Sequence, residues 1–188
     1  EWPKNRTINL VFHGHSVPAG YFKTPTVNTL GAYPFQVLQA LKNNYPLAVI
    51  NLINTAIGGE NSISGAKRFD EEVLVHRPDV LFIDYALNDR GPGLEKAKAA
   101  WEDMIQKALA KNIKVILLTA SPDQRVPISD TASILDQHGD QIKALAQKYH
   151  IGCVDSYGLI RNQVNQGVPL PELMSQVNHP NARGHALI

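Results

Sequence analysis

Five short runs rich in valine, isoleucine and leucine punctuate the chain: TINLVFH at 7–13, LAVINLIN at 47–54, DVLFIDYA at 79–86, IKVILLTA at 113–120 and HIGCVD at 150–155. Nearly continuous apolar runs of this length predict strands with packing on both faces. Between them, apolar residues recur at helical spacing. Residues 94–109 place Leu94, Ala97, Trp101, Met104, Ile105 and Ala108 on one stripe behind Pro92, and residues 131–149 place Ile134, Leu135, His138, Ile142, Leu145 and Tyr149 on one side. Alternating strand and helix requires parallel strands joined by right-handed crossovers. The expected fold is therefore α/β: a three-layer α/β/α sandwich around a flavodoxin-like five-stranded parallel sheet.

Composition fits that picture and narrows the partners. A chain of 188 residues, 44% hydrophobic and 19% charged, suits a single domain over 1–188, and neither a repeat nor a linker divides it. Lys and Arg number 18 against 17 Asp and Glu, so the net charge of +1 provides no field for nucleic acid or anionic lipid. A small, nearly neutral substrate is the expected partner. No apolar run approaches the ~20 residues of a membrane span. No signal peptide is seen, but the chain begins at Glu1 rather than Met, which is compatible with export to the periplasm or outside the cell after removal of a leader. The lone Cys153 excludes an internal disulfide, and its apolar neighbours predict a small buried residue.

In open parallel sheets the ligand crevice lies outside the carboxyl ends of the strands, so candidate chemistry belongs there. Strand one ends in His13-Gly14-His15-Ser16; strand two runs into Asn54-Thr55-Ala56-Ile57-Gly58-Gly59-Glu60-Asn61-Ser62; strand three ends in Asp84-Tyr85-Ala86-Leu87-Asn88-Asp89. A fourth segment, Asn178-His179-Pro180-Asn181, precedes the terminal Ala182-Arg183-Gly184-His185. Taken singly, each has an ordinary reading: a capping serine, a glycine turn capped by Asn61 or Ser62, a turn-forming Asn-Asp pair, a loop histidine. Together they hold what acyl transfer requires, namely a hydroxyl nucleophile, an imidazole base, and amide donors for the oxyanion that develops.

Ser16, Gly59, Asn88 and His179 stand in the order and strand-end contexts of the four blocks of the SGNH hydrolases, also called GDSL-like esterases and lipases, and the chain resembles that superfamily along nearly its whole length. The resemblance implies that Ser16 is the nucleophile and His179 its general base. It also implies that the Ser16 N–H, the Gly59 N–H and the Asn88 side chain form the oxyanion hole. The chemistry so implied is a covalent acyl-enzyme with no organic cofactor and no metal. His76, His138 and His150 show no ligand spacing either.

Three positions depart from the family pattern. The first block usually reads Gly-Asp-Ser, whereas here His15 precedes Ser16; it is a candidate for substrate contact or proton relay, against the plainer reading of a loop side chain bonded to backbone. Ala86 stands where the third block usually has glycine. Most consequential, Gln176 occupies the place, three residues before the histidine, where the family usually has aspartate. The site is thus expected to be a dyad in which Gln176, a backbone carbonyl, Glu172 or Asp155 orients His179.

The expected activity is hydrolysis of a small acyl ester, with an acetylated saccharide as the favoured substrate by analogy with compact family members. A lysophospholipase, thioesterase or short-chain lipase would use the same residues. A non-catalytic carbohydrate-binding protein on the same fold is the reading from a different class. The loops 18–34 and 121–130 read as crevice walls, where Tyr21, Phe22 and Tyr33 are candidates to stack on a sugar or hold an acyl tail, and Asp123 and Arg125 to meet polar groups.

Overall fold

A computed structural model describes residues 6–188. In chain order, β1 (Ile8–Gly14) runs into the short α1 (Ser16–Ala19), followed by α2 (Tyr33–Asn44), β2 (Ile50–Asn54), α3 (Ser62–Lys67), α4 (Phe69–Glu72), β3 (Val80–Asp84) and α5 (Leu94–Ala110). Then come β4 (Lys114–Leu118), α6 (Ile134–Tyr149), β5 (Gly152–Val154), α7 (Ser156–Asn165), a small hairpin of β6 (Met174–Gln176) and β7 (His179–Pro180), and α8 (Ala182–His185). Five strands pair in parallel in the order β2-β1-β3-β4-β5. Helices cover both faces, giving the expected three-layer sandwich.

The core explains the register. Phe12 of β1 is paired with Phe82 of β3 and stacks on it at 4.3 Å between ring centroids. The stripe on α5 buries Ala97, Trp101, Met104, Ile105 and Ala108 completely, and Trp101 meets Tyr85 edge-on at 6.4 Å. A buried tryptophan of this kind removes about 150–250 Å² from water, which makes it one of the larger contributors to packing. At the carboxyl end of β1, Gly14 lies opposite Asp84, and a Cβ on it would sit 2.5 Å from the Asp84 carbonyl oxygen. Only glycine lets the two strands close beside Ser16.

The edges of the sheet differ from expectation. The second strand begins at Ile50 rather than Leu47, because the chain turns after Pro46 and leaves Leu47 and Val49 exposed. At the opposite edge β5 has only three residues, and Cys153 is exposed rather than buried, since among the described residues no further strand covers it. The helix expected at 131–149 begins at Ile134, where the Ser133 hydroxyl caps it by accepting from Asp136 N–H at 3.2 Å. Ile134 remains partly exposed, whereas Leu135, His138, Ile142 and Leu145 are buried. No helix is long and apolar enough to cross a membrane among the described residues.

Candidate active site

The end of β1 and the start of α1 form a tight corner. His15 is the N-cap of α1, and its Nδ1 accepts the Val17 N–H at 3.2 Å. Ser16 takes the first helical position, where a backbone N–H has no partner within the helix. Its Oγ lies 2.8 Å from Nε2 of His179, which β7 brings in from the far end of the chain. Both side chains are nearly buried, at 8% exposure each, so their contact is shielded from bulk water without being sealed.

On its other side, the imidazole of His179 meets two groups. Nδ1 lies 3.2 Å from the carbonyl oxygen of Phe22 and is also in contact with the amide nitrogen of Gln176. The Gln176 Oε1 accepts the Thr24 N–H at 3.0 Å. Burial pushes the protonation of His179 below the ordinary histidine value; the Phe22 carbonyl opposes this and charge on His15 adds to it.

Gly59 and Asn88 sit on the loops that follow β2 and β3. Gly59 has φ +82, a left-handed conformation that glycine adopts freely, and a Cβ there would meet nothing within 4 Å. Among the described residues, the N–H groups of Ser16 and Gly59 donate to no protein acceptor. The Asn88 amide donates one hydrogen to Glu60 O at 2.7 Å, which fixes its plane and leaves its second N–H available. Two anchors, the buried Asp89 and the half-buried Arg68, hold these loops. Asp89 accepts from Ser62 N–H at 2.8 Å and from Trp101 Nε1–H at 2.7 Å. Arg68 grips Glu60 through Nε at 2.9 Å and through a terminal nitrogen at 2.6 Å, while the same nitrogen donates to Thr55 O at 2.6 Å.

The model of the GDSL-like lipase/acylhydrolase family matches residues 12–187, which includes every group just described. The chain belongs to this family. Its fold superposes with a TM-score of 0.81 on Axe2, an acetylxylan esterase from Geobacillus stearothermophilus, at 21% identity over 96% of this chain and 90% of that one. A putative GDSL-like lipase from Parabacteroides merdae gives a TM-score of 0.81 at 16% identity over 96% and 91%. A search of curated protein sequences found no match. As a GDSL-like acylhydrolase, the chain is a carboxylic ester hydrolase.

Set against the family pattern, the other candidates sort clearly. His15 is fully buried, with Nε2 facing Asp84 Oδ1 at 3.3 Å and Nδ1 turned to Val17 N–H and, at 3.5 Å, to Ser16 Oγ. Against the expected substrate contact, His15 therefore lies buried behind Ser16, out of reach of a substrate. Glu172 pairs with Arg183 at 3.1 Å, and Asp155 is taken up by Thr119, Lys143 and the Gly158 N–H, so neither is a partner of His179. Tyr21 is half-buried, its ring 6.2 Å from that of His179 and against Gly58, at the edge of the site. Phe22 stacks instead on His185 at 5.0 Å, and Tyr33 is buried with its hydroxyl donating to Asp84 at 3.1 Å.

His13 is also buried, its ring bonded to Thr55, Gly65 and Tyr85, and burial lowers its pKa to about 3. Asp123 is likewise buried and spoken for: Arg125 and Arg90 hold its carboxyl at about 2, against the opposing effect of burial. The supporting roles of Asp89 and Arg68 emerge only from the structure. Adjacency to Asn88 was the available signal for Asp89; nothing in the local sequence marks Arg68. Among the described residues no cluster of three or more His, Cys, Asp or Glu side chains is arranged to hold a metal ion.

Proposed function

We propose that this chain hydrolyses small acyl esters through an acyl-enzyme on Ser16, with an O-acetyl group on a saccharide as the natural substrate. The observation that carries this reading is the 2.8 Å contact between Ser16 Oγ and His179 Nε2 just past the end of β1. As Oγ bonds to the ester carbon, its proton passes to Nε2 and the carbonyl electron pair moves onto oxygen. The N–H groups of Ser16 and Gly59 and the free Asn88 N–H receive that charge. Collapse breaks the bond to the alcohol oxygen, which takes the proton from His179. Water then attacks the acyl-enzyme by the same route, releasing the acid and restoring Ser16.

The likeness to an acetylxylan esterase favours acetylated saccharides, and Tyr21 beside His179 offers a face for a sugar ring. A fluorophosphonate probe is expected to label the wild type, and p-nitrophenyl acetate to be turned over; both signals vanish in Ser16→Ala. Acetylated xylo-oligosaccharides are expected to outcompete esters of longer acyl chains. A wild type inert toward the probe and toward every ester would refute the hydrolytic role of Ser16.

A further inference from the structure

A neutral imidazole carries one in-plane proton and one in-plane lone pair. To take the proton of Ser16 at Nε2, His179 must hold its own proton on Nδ1. Two partners compete to decide this. The carbonyl oxygen of Phe22, 3.2 Å from Nδ1, only accepts, so it favours a proton there. Gln176 presents an amide, and the end it presents is set from behind: the Thr24 N–H donates to Oε1 at 3.0 Å, which turns the two-hydrogen nitrogen Nε2 toward His179 Nδ1. A donor facing Nδ1 requires the lone pair at that position, which moves the ring proton to Nε2. There it points at Ser16 Oγ and blocks the site that should receive the serine proton.

We propose that Gln176 is a tautomer lock: pinned by Thr24, its amide biases His179 toward the Nε2–H form and keeps the Ser16–His179 pair below its full rate. This rests on the reading of Ser16 and His179 as nucleophile and base, and makes Gln176 a positioning residue acting through His179. Turnover then scales with the fraction of rings whose proton sits on Nδ1 against Phe22. Aspartate or glutamate would not impose this conflict, because a carboxylate accepts from Thr24 N–H with one oxygen and from Nδ1–H with the other. An amide satisfies only one of those two donors. Replacing the acid of a Ser-His-Asp triad by its amide leaves the geometry intact and costs on the order of 10⁴ in kcat through the wrong tautomer. With the Phe22 carbonyl offsetting part of that loss, relief of the lock is expected to raise kcat by roughly 10- to 1000-fold.

Two variants of the whole chain, Gln176→Glu and Gln176→Met, separate a lock from a structural clamp. Nitrogen-15 NMR of the histidine rings, with His179 assigned through His179→Gln, is expected to find the wild-type proton on Nε2 and to find it on Nδ1 in both variants. With p-nitrophenyl acetate, kcat is expected to rise in Gln176→Glu and, to a smaller extent, in Gln176→Met, where Phe22 O is the remaining partner of Nδ1. A side chain that merely held the loop would lose activity on becoming Met. A wild-type spectrum with the proton on Nδ1, or a kcat that falls in both variants, overturns the lock. If no variant cleaves any ester, the hydrolytic reading fails by itself, while the ring spectra still decide the tautomer.

Discussion

The Oγ of Ser16 and the Nε2 of His179, separated by 163 positions in the sequence, lie 2.8 Å apart. A hydroxyl at that distance from an imidazole can surrender its proton in the step that forms the new bond to carbon. Removing either partner should therefore cost about as much as removing both, at least ~10³-fold in kcat, because the two act as one unit. Rate measurements on Ser16→Ala, His179→Ala and the double variant check this; losses that multiply would show that the residues work independently.

The acid side of the rate profile should report His179. Its pKa lies below the ordinary value of about 6.5, first because it is buried and further because charge on His15 disfavours a second positive ring, with the Phe22 carbonyl opposing. The base works only when neutral, so kcat/KM should hold steady from neutral pH down to below 6.5 and then fall. A midpoint at or above that value would contradict the burial seen here.

Gly59 tests the glycine loop by conformation alone. A Cβ at this position meets no atom within 4 Å, so Gly59→Ala is not a steric clash; its cost is the positive φ, about 1–2 kcal/mol. Relaxation of that strain turns the N–H away from the developing oxyanion, and kcat is expected to drop about tenfold or more with little change in KM. Equal kcat in the two proteins would mean that this amide takes no part.

Asp89 holds the two donor loops together. Asp89→Ala strands the Ser62 N–H and the Trp101 indole N–H in the interior, a loss of roughly 2–4 kcal/mol. Urea denaturation should show the lower stability, with a lower kcat from a displaced Asn88. Asp89→Asn retains one acceptor oxygen and should be milder in both.

Low pH should destabilise the fold before most carboxylates titrate. Burial lowers His13 to about 3 and His185 to about 4, below the unfolded value of about 6.5. Between those limits the unfolded chain binds protons that the folded chain refuses, so stability is complete above about pH 6.5 and declines toward pH 4. Each histidine contributes a slope of about 1.4 kcal/mol per pH unit over its window. His13→Gln should flatten the urea midpoint against pH between 6 and 4; an unchanged slope would exonerate His13.

The layered sheet and the four strand-end groups were readable because both leave local signatures: apolar runs bounded by helical stripes, and short motifs at fixed places after strands. The orientation of His179 was readable only as a gap, since Gln176 announces a missing carboxylate without saying what the amide faces. The amide lies between His179 Nδ1 and the Thr24 N–H, and the Phe22 carbonyl meets Nδ1 beside it; backbone groups of this kind carry no residue-type signal. His15 illustrates the converse, for its position beside the nucleophile suggested exposure while the corner at Gly14 folds it inward against Asp84. Cys153 is exposed for a related reason: apolar neighbours mark a strand, but whether another strand lies outside it is a property of the whole sheet.

His179 is carried on the slightest part of the molecule, a two-strand hairpin beside a helix of four residues, whereas Ser16, Gly59 and Asn88 follow strands of the central sheet. This corner is pinned by His185, whose Nδ1 accepts the Tyr33 N–H at 3.2 Å, and by the Gln124 N–H donating to Val177 O at 2.8 Å. Such a latch can release by local opening that costs less than unfolding the sheet. Heating should therefore extinguish turnover at a lower temperature than it melts the core, leaving an intact sheet on which Ser16 has lost its partner.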